Sequence, residues 1–173
     1  MMINYDLEKI GAIIFDVDGV LSLSTIQMSP AGMPVRTVNI KDGYAMQLAI
    51  KMGLKLAIIS GGTDKGIEER YRKLGMTDVF MSCSTKIEVF HRFMADNGLS
   101  KENVIYVGDD IPDYEIMQEV GCPCCPNDAC VDIKAISTYI SPCNGGMGCA
   151  RDIIEQVLRA KGLWLSSAKA FGW

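Results

Sequence analysis

Apolar and polar positions alternate along the chain in two kinds of stretch. The first kind is short and apolar almost throughout: Ile10 with Ala12–Phe15, Leu54–Ile59, Val79–Met81 and Asn103–Val107. Such runs suit strands covered on both faces, as in an open α/β sheet. The second kind carries helical patterns. Tyr44–Met52 sets Ala45, Leu48, Ala49 and Met52 on one face. Further helices are predicted over Asp64–Leu74, from Ser84 or Thr85 to Asn97-Gly98, over Tyr114–Val120 and over Ala150–Lys161. Gly53 and Gly75 stand where helices should stop, and Pro112 suits a first turn capped by Asp110. One piece departs from both patterns. Ser22–Met28 and Val35–Ile40 alternate and are rich in β-branched residues, with Pro30-Ala31-Gly32 between them. They predict a projecting β-hairpin over 20–40, closed by Asp42-Gly43.

Composition narrows the class. At 173 residues one domain, 1–173, is expected. An apolar content of 49% and a net charge of −4 argue against disorder and against a nucleic-acid surface. No apolar run approaches the ~20 residues that span a bilayer. The opening MMINYDLEKIG lacks the basic-then-apolar layout of a signal peptide. A cytoplasmic protein with no membrane partner is expected. Six cysteines lie between Cys122 and Cys149, with no paired C-x-x-C and no histidine nearby. Reduced, space-filling residues are expected there rather than a zinc site or a disulfide framework. The only histidine, His91, falls in a predicted helix and is expected to be structural.

The chemistry gathers where strands end. The first apolar run delivers Asp16 and Asp18 in the sequence Asp16-Val17-Asp18-Gly19, at the sheet edge where α/β proteins bind ligands. Two acids at that spacing can act as nucleophile and proton donor, or hold Mg²⁺. A solvated surface turn is the alternative. Ser60-Gly61-Gly62-Thr63 precedes a helix, which makes an oxyanion or phosphate cradle or a simple capped turn. Lys86 sits in a helix's first turn, where the dipole opposes a cation. That placement makes sense if it faces a negative centre. Gly108-Asp109-Asp110-Ile111-Pro112-Asp113 adds carboxylates at a fourth strand end.

Asp16/Asp18, Ser60, Lys86 and Asp109/Asp113, in this order, resemble the haloacid dehalogenase superfamily of phosphotransferases, from about Ala12 to Pro126. The resemblance implies a Rossmann-like three-layer α/β/α fold around a central, mostly parallel sheet. It implies that Asp16 attacks phosphorus, Asp18 serves as acid and then base, Ser60 and Lys86 complete the catalytic set, and Mg²⁺ is held around Asp16, Asp18 and Asp109. Asp113 would orient the ion's waters. The intervals from Asp16 to Ser60 and from Ser60 to Lys86 are too short for an inserted cap domain.

A capless enzyme with a hairpin is similar to the sugar-acid phosphatases of the 3-deoxy-D-manno-octulosonate 8-phosphate type, which form tetramers. Val38-Asn39-Ile40-Lys41-Asp42-Gly43-Tyr44, Gly145-Gly146-Met147-Gly148-Cys149-Ala150-Arg151-Asp152 and the tail 162–173 extend the resemblance. It implies a phosphorylated sugar acid as substrate and a homotetramer as the assembly. Substrate contacts would come from Lys41, Asp42, Gly61, Gly62, Gly145 and Gly146. Gly62 stands where such relatives often carry a charged residue, which leaves Lys65 and Arg70 as candidates for the substrate carboxylate. A nonulosonate 9-phosphate is the competing substrate. A phospho-receiver module combines similar groups, but usually in the opposite order along the chain. A catalytically silent binding subunit on the same fold is a third reading.

Overall fold

A computed structural model describes residues 2–172. The chain opens with β1 (Ala12–Phe15), a small hairpin of β2 (Gln27–Met28) and β3 (Pro34–Val35), and α1 (Ile40–Lys51). Strands and helices then alternate: β4 (Lys55–Ile59), α2 (Lys65–Lys73), β5 (Asp78–Phe80), α3 (Lys86–Asp96), β6 (Val104–Val107) and α4 (Tyr114–Glu119). β7 (Cys122–Cys125), α5 (Val131–Ile136), β8 (Tyr139–Ile140) and α6 (Cys149–Ala160) complete the order.

The six long-range strands form one parallel sheet in the order β5–β4–β1–β6–β7–β8. From β1 the chain winds outward to β5, then crosses back and continues beyond β1 on its other side. With right-handed crossovers, that reversal sends helices to opposite faces. Side chains obey it. Ile13 and Phe15 face one core with residues of α1, α2 and α6, whereas Ala12 and Ile14 face the other with residues of α3, α4 and α5. The result is the expected three-layer α/β/α arrangement, and β1 lies at the switch point where ligands bind.

The hairpin is shorter than the sequence pattern predicts, because only Gln27–Met28 and Pro34–Val35 pair. Residues 20–22 instead fold back on the Val17 carbonyl, which accepts from the N–H groups of Val20, Leu21 and Ser22. Helix α1 starts at Ile40 rather than Tyr44, since the Asn39 side chain accepts from the Lys41 and Asp42 N–H groups. Asp42-Gly43 therefore lies in a helix turn and does not close the hairpin. All seven cysteines are free, and Cys122, Cys124, Cys125 and Cys149 are buried. The three in β7 fill a strand as small apolar residues do. His91 is exposed on α3 beside Glu119. No described helix is long and apolar enough to cross a membrane. After α6 the chain lies along α1 of the same molecule, where Tyr44 Oη donates to the Ala170 carbonyl and Lys51 Nζ to that of Gly172.

Candidate active site

Asp16 emerges directly from β1, its N–H donating to the Val107 carbonyl at 3.0 Å. The tight turn that follows needs Gly19: φ is +78°, and a side chain there would overlap the Asp109 carboxylate. The Gly145-Gly146 loop supports this turn from behind. Gly145 lies against the Gly19 carbonyl with no room for a side chain, and Gly146 N donates to the Val20 carbonyl at 2.8 Å. Both glycines thus act through the backbone of the turn.

Lys86 is the hub of the charged cluster. Nζ lies 2.9 Å from Asp16 Oδ2 and 2.8 Å from Asp113 Oδ1, with only 8% of its side chain exposed. Asp113 is fully engaged: Oδ1 also accepts from Tyr106 Oη at 2.7 Å, and Oδ2 accepts from the Asp109 N–H at 3.1 Å. One oxygen from each of Asp16, Asp109 and Asp113 falls within a 4.8 Å group. Burial pushes the Asp16 carboxyl up to about 7, with Asp113 adding to it and Lys86 opposing. Asp109 is pushed up to about 8, by burial first and then by Asp16, Asp113 and Asp110. Burial pulls Lys86 down, but Asp16 and Asp113 outweigh it and hold the ammonium above its ordinary range. One lysine cannot balance three crowded carboxylates, and an all-oxygen set of this kind fits a hard divalent cation.

Ser60 follows β4 and is buried. Its Oγ accepts from the Gly62 N–H at 3.2 Å, so its own proton is available for an incoming oxygen. The cap of α2 is Asp64, not Ser60. Asp16, Asp18, Ser60, Gly61, Gly62, Lys86 and Asp109 line one cleft of about 390 Å³. A larger groove of about 880 Å³ shares Gly61, Lys86 and Pro112 with it.

Other expected residues go elsewhere. The Asp18 carboxylate turns away from the Asp16–Asp109–Asp113 group to the Arg36 guanidinium, at 2.7 and 2.8 Å. Asp42 is buried and accepts the Arg151 N–H at 2.7 Å, which makes it a tie between helices rather than a substrate contact. Lys41 and Lys65 are exposed outside the cleft. Arg70 lies over Gly43 and does not line the cleft. Arg36 was not anticipated. A single arginine in a hairpin of mixed polar and apolar residues carries no signal of its own until the fold brings it to Asp18.

A strand-end carboxylate beside a buried lysine, a proton-bearing hydroxyl and an oxygen-rich cation site defines a hydrolase built for phosphoryl transfer. The family model of haloacid dehalogenase-like hydrolases matches residues 43–126. The 3-deoxy-D-manno-octulosonate 8-phosphate phosphatase KdsC of Escherichia coli is 34% identical over 155 residues, which span 90% of this chain and 82% of that protein. The chain therefore belongs to the haloacid dehalogenase-like hydrolases and is a phosphoric monoester hydrolase. Two crystal structures share its fold. The octulosonate 8-phosphate phosphatase from Yersinia pestis is 31% identical with a TM-score of 0.87, covering 91% of this chain and 85% of that one. The Moraxella catarrhalis enzyme, in complex with a magnesium ion, a phosphate ion and a KDO molecule, is 27% identical with a TM-score of 0.86, covering 91% and 90%.

Proposed function

We propose that residues 1–173 work as one cytoplasmic phosphatase domain that hydrolyses 3-deoxy-D-manno-octulosonate 8-phosphate to the free sugar acid and phosphate. The observation that carries this reading is the Asp16 carboxylate, held by Lys86 next to Asp109 at the edge of β1. Asp16 attacks phosphorus, an oxygen–phosphorus bond forms, and the ester bond breaks as Asp18 gives its proton to the leaving oxygen. A water then attacks the aspartyl phosphate, Asp18 takes the water's proton, and Asp16 is released. Lys86 offsets the repulsion between a carboxylate and a phosphate dianion, while the Ser60 hydroxyl, oriented by the Gly62 N–H, and the Gly61 N–H receive the transferring oxygens. Asp16 and Asp109 would hold Mg²⁺, with Asp113 orienting its surroundings, and the ion would supply further charge neutralisation. The adjoining groove is large enough for a sugar.

The exposed apolar residues of the hairpin support a homotetramer as the working assembly. Phosphate release from the octulosonate 8-phosphate and a nonulosonate 9-phosphate, competed in one reaction with Mg²⁺, tests the substrate. Preference for the octulosonate is expected, and preference for the nonulosonate would replace it. Asp16→Asn should lower turnover by about 10³-fold or more. Turnover at the wild-type rate would reject the nucleophile.

A further inference from the structure

Arg36 has no role in the chemistry above. It follows β3 in the hairpin, yet only 7% of its side chain is exposed. Its Nε donates to Asp18 Oδ1 at 2.7 Å and its Nη2 to Asp18 Oδ2 at 2.8 Å. Nη1 is buried without a hydrogen bond, 3.5 Å from Asp64 Oδ2. Gly62 leaves the guanidinium its space, since a Cβ there would come within 3.1 Å of Nη2.

A planar fork is how arginine recognises a carboxylate, and it fits one on a ligand as well as one on the protein. The fork also occupies both oxygens of Asp18, whereas the reaction needs one of them turned to the scissile ester. The contact in the free protein therefore holds Asp18 back. The backbone beside Arg36 is tied at Thr37, whose N–H donates to Ser22 Oγ at 3.2 Å, so the side chain can swing from a fixed base. Val35 and Thr37 on either side of it are exposed, and a swing gives up the pairs with Asp18 and Asp64 in exchange for a ligand carboxylate.

We propose that Arg36 selects for an acidic substrate: it rests on Asp18 until a carboxylate on the phosphorylated substrate takes the guanidinium, which frees Asp18 for the ester. This rests on the phosphatase reading and assigns a partner to the acid end of the sugar acid. A neutral phosphate ester carries nothing to draw Arg36 away and meets an engaged Asp18. Lys65, Arg70 and Arg36 are all absent from the cleft lining, but Arg36 is bonded to Asp18 and lies beside Gly62, both of which line it.

The test uses the full chain with Mg²⁺ and two esters differing only in the carboxylate: the octulosonate 8-phosphate and its analogue with that carboxylate reduced to an alcohol. The wild type should prefer the acid. In Arg36→Gln the ratio of kcat/KM for acid over neutral ester should fall at least tenfold, through a higher KM for the acid and faster turnover of the neutral ester. Arg36→Lys, with charge but no fork, should recover part of that ratio and carries the same comparison should Arg36→Gln not fold. An active variant that keeps the wild-type ratio, or loses both esters equally, would overturn the proposal. A wild type that hydrolyses neither ester would reject the phosphatase reading, and this inference with it.

Discussion

Asp42 is buried in the first turn of α1, where Oδ1 accepts the Arg151 N–H at 2.7 Å and Oδ2 has no partner. Arg151 lies in the first turn of α6, so this carboxylate caps one helix from inside another. Burial pushes its pKa up to about 6, against the Arg151 N–H and guanidinium, which lower it. A carboxyl raised on folding contributes stability that is complete below its ordinary pKa and is lost as pH rises through about 6. Asp42→Asn keeps an oxygen for the Arg151 N–H and carries no charge. Urea unfolding should show it equal to the wild type at pH 4 and more stable by about 1–3 kcal/mol at pH 8. The same difference at both pH values would remove the charge from the explanation. Sequence marks Asp42 as a motif acid but not its address, because its partner lies 109 residues away in the chain. Asp16, Ser60, Lys86 and Asp109 were legible for the opposite reason. Each follows an apolar run or opens a helix, and the ends of parallel strands converge. Arg36 had no such local frame.

The turn after β1 binds these positions into one unit. Val17 closes it, Gly19 passes beneath Asp109, and Gly145 seals it from the other side. A side chain at Gly19 meets both a positive φ and the Asp109 carboxylate, and the backbone strain alone costs about 1–3 kcal/mol. Gly19→Ala should lower the thermal midpoint and displace Asp109, so that half-maximal phosphate release needs at least tenfold more Mg²⁺. An unchanged Mg²⁺ dependence would show that Asp109 keeps its place. The strands of this unit were readable because a strand covered on both faces is apolar at every position. The start of α1 was misplaced because a capping side chain, Asn39, outweighs the glycine that follows it as a boundary signal. The bounds of β7 are not legible because cysteine and proline carry little strand signal, although in a parallel core the cysteines fill the strand as space-filling residues, as their reduced state predicts.

The described residues form no cap over the cleft, and the hairpin carries apolar side chains in solvent. Met28, Met33, Val35 and Ile40 are 50% or more exposed, and Ile26 and Val38 are also open to solvent. Apolar residues grouped on a projecting strand pair are the usual mark of a protein–protein contact, and strand edges pair readily across a symmetry axis. A closed ring of hairpins would cover these residues and narrow the open side of each cleft, limiting water and unsuitable esters. Sedimentation should therefore give about four times the chain mass. Met28→Glu with Met33→Lys, both exposed on the hairpin and neither adjacent to Arg36 in the chain, should release smaller species whose kcat/KM falls about tenfold or more, with the circular-dichroism spectrum unchanged. A wild type that sediments as a monomer, or a dissociated variant at full activity, would show that each chain closes its own site, and selectivity would then rest on Arg36 and the cleft alone.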